Sequence, residues 1–250
     1  MAQSSFNPLS NMPTVTKNLI IINVLLWVAS YIMKSLDMNE LFGLHYPASA
    51  EFSMYQLVTY MFMHGALYHL FFNMYAVYMF GRVVENLWGP KRFLTYYMIT
   101  GVGAGLINLL VIYVRTQLFE ASMTPEAIEM VYTEGGAILQ NGKNYIDPTL
   151  GGLNALIHST TIGASGAVFG ILLAFGVLFP NVQMYIIPFP FPIKSKYLVI
   201  GYGGIELVAG IANFSFDNIA HFAHLGGMLF GIIMVLYWTK KDKANGKYFY

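Results

Sequence analysis

The sequence predicts an all-α, polytopic membrane protein: a bundle of six transmembrane helices. Three observations carry that prediction. Charged residues are only 10% of the 250, against 56% hydrophobic, where soluble domains carry about 25% charged residues. Apolar runs near membrane-crossing length recur along the chain. Lysine and arginine fall unevenly on the connections once six crossings are drawn. The net charge of +1 gives no sign of a nucleic-acid partner, and the lack of cysteine excludes disulfides and thiol catalysis.

Residues 1–17 read as a cytoplasmic N-terminal segment, polar and uncharged up to Lys17. The run Leu19–Met33 is long enough to span, and its charge-poor start is unlike a signal peptide, so it is taken as the first crossing. The next two are Gly65–Val84 and Phe93–Tyr113. An insert at 117–161 follows, with an acidic, amphipathic stretch TPEAIEMVY. The fourth, fifth and sixth crossings are Ile162–Leu178, Tyr197–Ile211 and Ile219–Trp238. The proline-rich IIPFPFPIK between the fourth and fifth cannot continue a helix. Residues 18–238 thus form the membrane domain, and 239–250 a cytoplasmic tail.

With both ends inside, six crossings place Lys17, Arg82, Lys91, Arg92, Lys194, Lys196, Lys240, Lys241, Lys243 and Lys247 in the cytoplasm. Only Lys34, Arg115 and Lys143 lie outside, and the insert is external. A multi-pass protein of a bacterial inner membrane is the expected location. Crossings two, four and six all start on the outer side, so their first halves share one depth. Those halves hold His69 and Asn73, Ser165, and His221 and His224. Polar groups at membrane depth are costly and usually face a protein interior or a wet cavity.

Within this layer, His69 and Asn73 share a helix face at i, i+4, and His221 and His224 lie three apart. Gly166 and Gly170 form a small-xxx-small pair on crossing four, Gly227 and Gly231 another on crossing six. Such pairs allow close helix contact in lipid, which would bring Ser165 Oγ to His224. A serine hydroxyl becomes a useful nucleophile when a base takes its proton. Amides at the start of the Ser165 helix, with His69 and Asn73, could hold an oxyanion. Phe169, one turn on, could pack against the His224 ring. Glu85 reads as structural, paired with Arg82 or Arg92, and Trp88 and Trp238 as interfacial anchors.

The pattern GxSGxxxG (Gly163, Ser165, Gly166, Gly170), AHLGG on crossing six, HxxxN on crossing two, and GRVVENLWGPKRF after it resemble the rhomboid family of intramembrane serine proteases. The resemblance implies a dyad of Ser165 and His224 without an aspartate, oxyanion contributors at His69 and Asn73, and a flanking histidine at His64. It also implies transmembrane substrates, single-span or otherwise, taken from the bilayer, and no cofactor. Tyr55-Gln56 departs from the Trp-Arg pair often found in the family's first loop, and Phe169 stands where tyrosine is frequent.

Two other classes compete. A catalytically inactive relative would bind transmembrane clients as an adaptor, usually with the serine or histidine lost. A metal site could use His64, His69, His221 and His224, but the nearest acids, Glu206 and Asp217, have no forced approach to them. No metal is expected.

Overall fold

The computed structural model describes residues 12–185, 191–212 and 220–246. Asp217, Lys247, the start of the sixth crossing, and part of both the N-terminal segment and the proline-rich loop lie outside these. The chain forms α1 (Thr14–Ile32), α2 (Met38–Phe42), α3 (Gln56–Thr59), α4 (Leu67–Ala76), α5 (Arg82–Trp88), α6 (Pro90–Glu120), α7 (Pro125–Gln140), α8 (Pro148–His158), α9 (Ser165–Leu178), α10 (Ser195–Ala212) and α11 (His221–Ala244). A two-residue hairpin pairs β1 (Gln183–Met184) with β2 (Ile193–Lys194).

Helices stand at all six expected places. The second crossing is composite: α4 and α5 are joined by one π-helical turn, Val77–Gly81. That turn begins after Asn73, so His69 and Asn73 keep a regular i, i+4 relation. By length and composition, α1, α6 and α11 can each cross a bilayer. At 14 residues, α9 is about 21 Å long, short of the ~30 Å hydrocarbon core. It does not need the full length, because it is enclosed by α6, α10 and α11, and most of its residues are buried. Large apolar side chains instead face outward on α1, α4, α10 and α11, among them Leu25, Phe72, Ile200 and Ile233. In water that surface would be a liability; against lipid it is the solvated face.

Glycine sets the tightest approach. A β-carbon on Gly227 would collide with the carbonyl oxygen of Gly166, and one on Gly231 would sit 3.4 Å from Gly170 Cα. The same face of α9 rests on α6, where Gly166 meets Ala104 and Gly170 meets Thr100. Tyr96 and Tyr60, both fully buried, stitch these backbones by donating to the carbonyls of Gly170 and Gly101, each at 2.7 Å. Donation to carbonyls satisfies the hydroxyls where no water would.

Glu85 pairs with neither arginine. Its carboxylate is buried and accepts the Val15 and Thr16 amides at 2.9 and 2.7 Å, supplying acceptors that the first turn of α1 lacks. The negative charge also suits the positive end of that helix. Arg82 instead donates to the Tyr78 hydroxyl at 3.0 Å. Arg92 bonds Asp242 at 2.6 Å and lies over the Trp88 and Trp238 rings, tying the start of α6 to the end of α11.

The 117–161 segment is helical for most of its length. Its first residues extend α6 to Glu120, and α7 and α8 pair and dock beside α6. Val131, Leu153 and Ile157 are fully buried there, in a small core of their own with Tyr46 and Ile112. In the first loop, Gln56 is buried and uses its whole carboxamide: Oε1 accepts from the His45 and Ser53 amides, and Nε2 donates to the Glu51 and Leu41 carbonyls. A neutral knot thus forms at the Tyr55-Gln56 departure.

Two substitutions test this account by thermal unfolding in detergent. Gly227→Ala lowers stability by about 1–3 kcal/mol through overpacking, whereas Gly204→Ala, where a β-carbon would meet nothing within 4 Å, lowers it not at all. Glu85→Ala costs about 1–3 kcal/mol by stranding one buried and one part-buried amide, and Glu85→Gln, which keeps an acceptor, costs less.

Candidate active site

Ser165 is the first residue of α9, and His224 sits in the first turn of α11. The glycine contact, next to Ser165 on α9 and one turn past His224 on α11, draws their starts together, leaving Ser165 Oγ 2.8 Å from His224 Nε2. His224 is buried, and Ser165 only partly so. Phe169 stacks on the His224 imidazole, centroids 4.2 Å apart and planes within 7°, which holds the ring against rotation out of its plane. A hydroxyl touching a fixed imidazole can lose its proton to that ring as it attacks an electrophile.

The segment before α9 is held from below. Leu44 and Thr161 form a two-way antiparallel bridge (2.8 and 2.9 Å), and the Gly163 amide donates to the Tyr60 carbonyl at 2.9 Å. Gly163 has φ +125°, a conformation that side-chain-bearing residues rarely adopt. A β-carbon there would lie 2.7 Å from His69 Cε1 and 3.8 Å from Ser165 Oγ. His69 therefore edges the space beside Ser165. Asn73 is buried and its Nδ2 lies 3.2 Å from His64 Nε2, in the loop before α4, while the His64 and His69 rings are 5.0 Å apart. His64 thus braces Asn73 and flanks His69. No contact joins Asn73 directly to Ser165 among the described residues, but its amide retains a second N–H. The amides of Ser165 and the following residues, at the start of α9, have no carbonyl one turn earlier within the helix.

Glu206 is the residue the sequence reading set aside. It lies on α10, 8% exposed. Its Oε2 is 2.6 Å from His221 Nδ1, a hydrogen bond, and 2.9 Å from His224 Nδ1, close but not aligned along the ring N–H. The expectation that no acid is forced near these imidazoles is corrected: two helices carry the carboxylate onto both. An acidic residue on the neighbouring crossing, at the depth of two histidines, was the available signal.

The four histidines do not form one cluster. They divide into His64 with His69 and His221 with His224, the latter rings 6.4 Å apart. Glu206, His221 and His224 could hold a metal by ligand type, with donor atoms within 4.8 Å of one another. The two nitrogens converge on one carboxylate oxygen at hydrogen-bonding separations, the pattern of imidazole N–H groups sharing an acceptor.

The family model described as the rhomboid domain matches residues 51–241. The chain is 27% identical over 240 residues to "Rhomboid-like protein 11, chloroplastic" of Arabidopsis thaliana, covering 91% of this chain and 66% of that one. It is 25% identical over 179 residues to "Rhomboid protein 1, mitochondrial" of Saccharomyces cerevisiae (72% and 40% covered). It is also 25% identical over 232 residues to "Rhomboid protease AarA" of Providencia stuartii (88% and 70% covered). The chain thus spans under two thirds of the length of the first two.

Gly163→Ala, which pushes a methyl group at His69 beside Ser165, slows labelling of Ser165 by a fluorophosphonate about tenfold or more. Wild-type labelling rates in a folded Gly163→Ala protein would show that the position tolerates a side chain.

Proposed function

Since the chain belongs to the rhomboid family, we propose that it is an intramembrane serine endopeptidase, hydrolysing peptide bonds in or near transmembrane segments of other membrane proteins. The observation that carries this reading is the 2.8 Å contact of Ser165 Oγ with His224 Nε2, made between two helices inside the membrane domain.

His224 Nε2 takes the Ser165 proton as Oγ attacks the scissile carbonyl. The oxyanion rests on the Ser165 amide with help from His69 and Asn73; the placement of His69 against Gly163 supports its part. His224 then gives its proton to the leaving amine, and water, deprotonated by the same ring, releases the acyl group. Each step uses side chains, backbone and water alone. Phe169 keeps the base in register, and Gly166 and Gly227 keep the two helices at the required spacing.

The substrate backbone must leave its helix before cleavage, because a helical carbonyl is already hydrogen-bonded and shielded by the next turn. Access from the side, between α4 and α10, fits the open face of α10, where a β-carbon on Gly201 or Gly204 would touch nothing. The ten-to-three split of basic residues supports cytoplasmic termini, with α7 and α8 on the outer side of the membrane.

The test is cleavage of a single-span substrate co-reconstituted in liposomes. Ser165→Ala abolishes cleavage and fluorophosphonate labelling, and His224→Ala lowers cleavage at least about 10²-fold. Cleavage that persists in Ser165→Ala would sink the reading; a wild type that binds the substrate without cutting it or labelling would favour a client-binding adaptor.

A further inference from the structure

We propose that Glu206 is a positioning residue of the same site: its carboxylate holds His224 with the proton on Nδ1, leaving Nε2 free to accept from Ser165. The inference rests on the reading of Ser165 as nucleophile and His224 as base.

A carboxylate on a helix among apolar neighbours is expensive in lipid and persists where it has partners and a task. Glu206 is buried on α10, yet its polar partners among the described residues all lie on α11. His221 and His224, one turn apart, present both Nδ1 atoms to the same oxygen at 2.6 and 2.9 Å. The His224 ring is thereby bracketed: hydroxyl at Nε2, carboxylate at Nδ1.

The chemistry at the two nitrogens differs. A neutral imidazole carries one N–H, and an ionised carboxylate can only accept. Facing Glu206, Nδ1 is the nitrogen that keeps the hydrogen, so Nε2 has the lone pair a general base needs. The His224 N–H is not yet in line with Oε2; catalytic hydrogen bonds are often loose in the free enzyme and tighten with substrate. His221 makes the short, formed bond and so anchors the carboxylate at the right height. When His224 takes the Ser165 proton, the resulting cation stands beside an anion in a medium of low dielectric, where their attraction is stronger than in water. The proton stays on the imidazole and passes to the leaving amine; Glu206 stays ionised throughout.

The same groups offered to zinc would act in the opposite sense. A metal on His224 Nδ1 would leave the remaining proton on Nε2 and remove the base. The 2.6 Å separation of His221 Nδ1 from Oε2 is also shorter than two ligands about 2.0–2.1 Å from one tetrahedral ion would adopt.

The experiment pairs kinetics with tautomer detection. For the reconstituted protein and a single-span substrate, Glu206→Gln lowers kcat about 10²-fold with KM unchanged, and Glu206→Asp restores part of the loss. Nitrogen-15 NMR of labelled histidines, with the His224 signal assigned by its loss in His224→Ala, shows Nδ1–H for His224 in wild type. Glu206→Leu, which offers no acceptor, raises the Nε2–H form. Wild-type kcat in Glu206→Gln, an Nε2–H tautomer in the wild type, or activity abolished by chelator and restored by zinc would each overturn the proposal. A residue that merely supported the fold would change unfolding temperature without moving the tautomer. The NMR readout needs no turnover and no Leu variant, since the wild-type spectrum alone decides the tautomer. Failure of the protease reading, seen as absent cleavage and labelling in wild type, is therefore told apart from failure of this one.

Discussion

Contact between the backbones of α9 and α11 is the constraint on which the rest of the structure depends. Lipid offers no hydrophobic drive for two helices to meet, so close packing must supply the attraction. Gly166 and Gly227 permit it, with a carbonyl of one helix where a side chain of the other would be. Beside that contact on α9 and one turn before it on α11, the hydroxyl and the imidazole inherit their 2.8 Å separation from the approach. Tyr96 reinforces it from α6 by bonding the Gly170 carbonyl.

A second theme is how polar groups are kept inside an apolar medium. Several around the site have a definite partner: Asn73 with His64, Glu206 with His221, Tyr60 with the Gly101 carbonyl. Gln56 in the first loop follows the same rule with four bonds. Such contacts are directional, and they restrict the rings and amides near Ser165 more narrowly than apolar packing could.

What could be read from the sequence follows from which constraints are local. Apolar runs mark crossings because lipid tolerates nothing else, and helices occupy all six places. Glycines spaced by four reveal a contact face because no other residue permits it. The second crossing's π turn left no such mark. Glu85 was legible as structural but not as a helix cap, since its partners lie 69 and 70 residues away. Glu206 was legible in its depth but not in its contact: its meeting with two histidines of α11 is created by the packing of helices, and no spacing within either helix announces it. The stretch at Thr124–Tyr132 was legible as acidic and amphipathic, while the docking of α7 and α8 beside α6 needed the third dimension.

The Leu44–Thr161 bridge and the Tyr60–Gly163 bond carry a mechanical consequence. The first loop and the strand of chain leading to Ser165 are laced edge to edge, so a tug on one is felt by the other. Deforming that side would drag the hydroxyl off its mark. The opposite wall is built otherwise: α10 is bare at Gly201 and Gly204, so any slack there has to stop short of Glu206, which ties the same helix to His221 and His224.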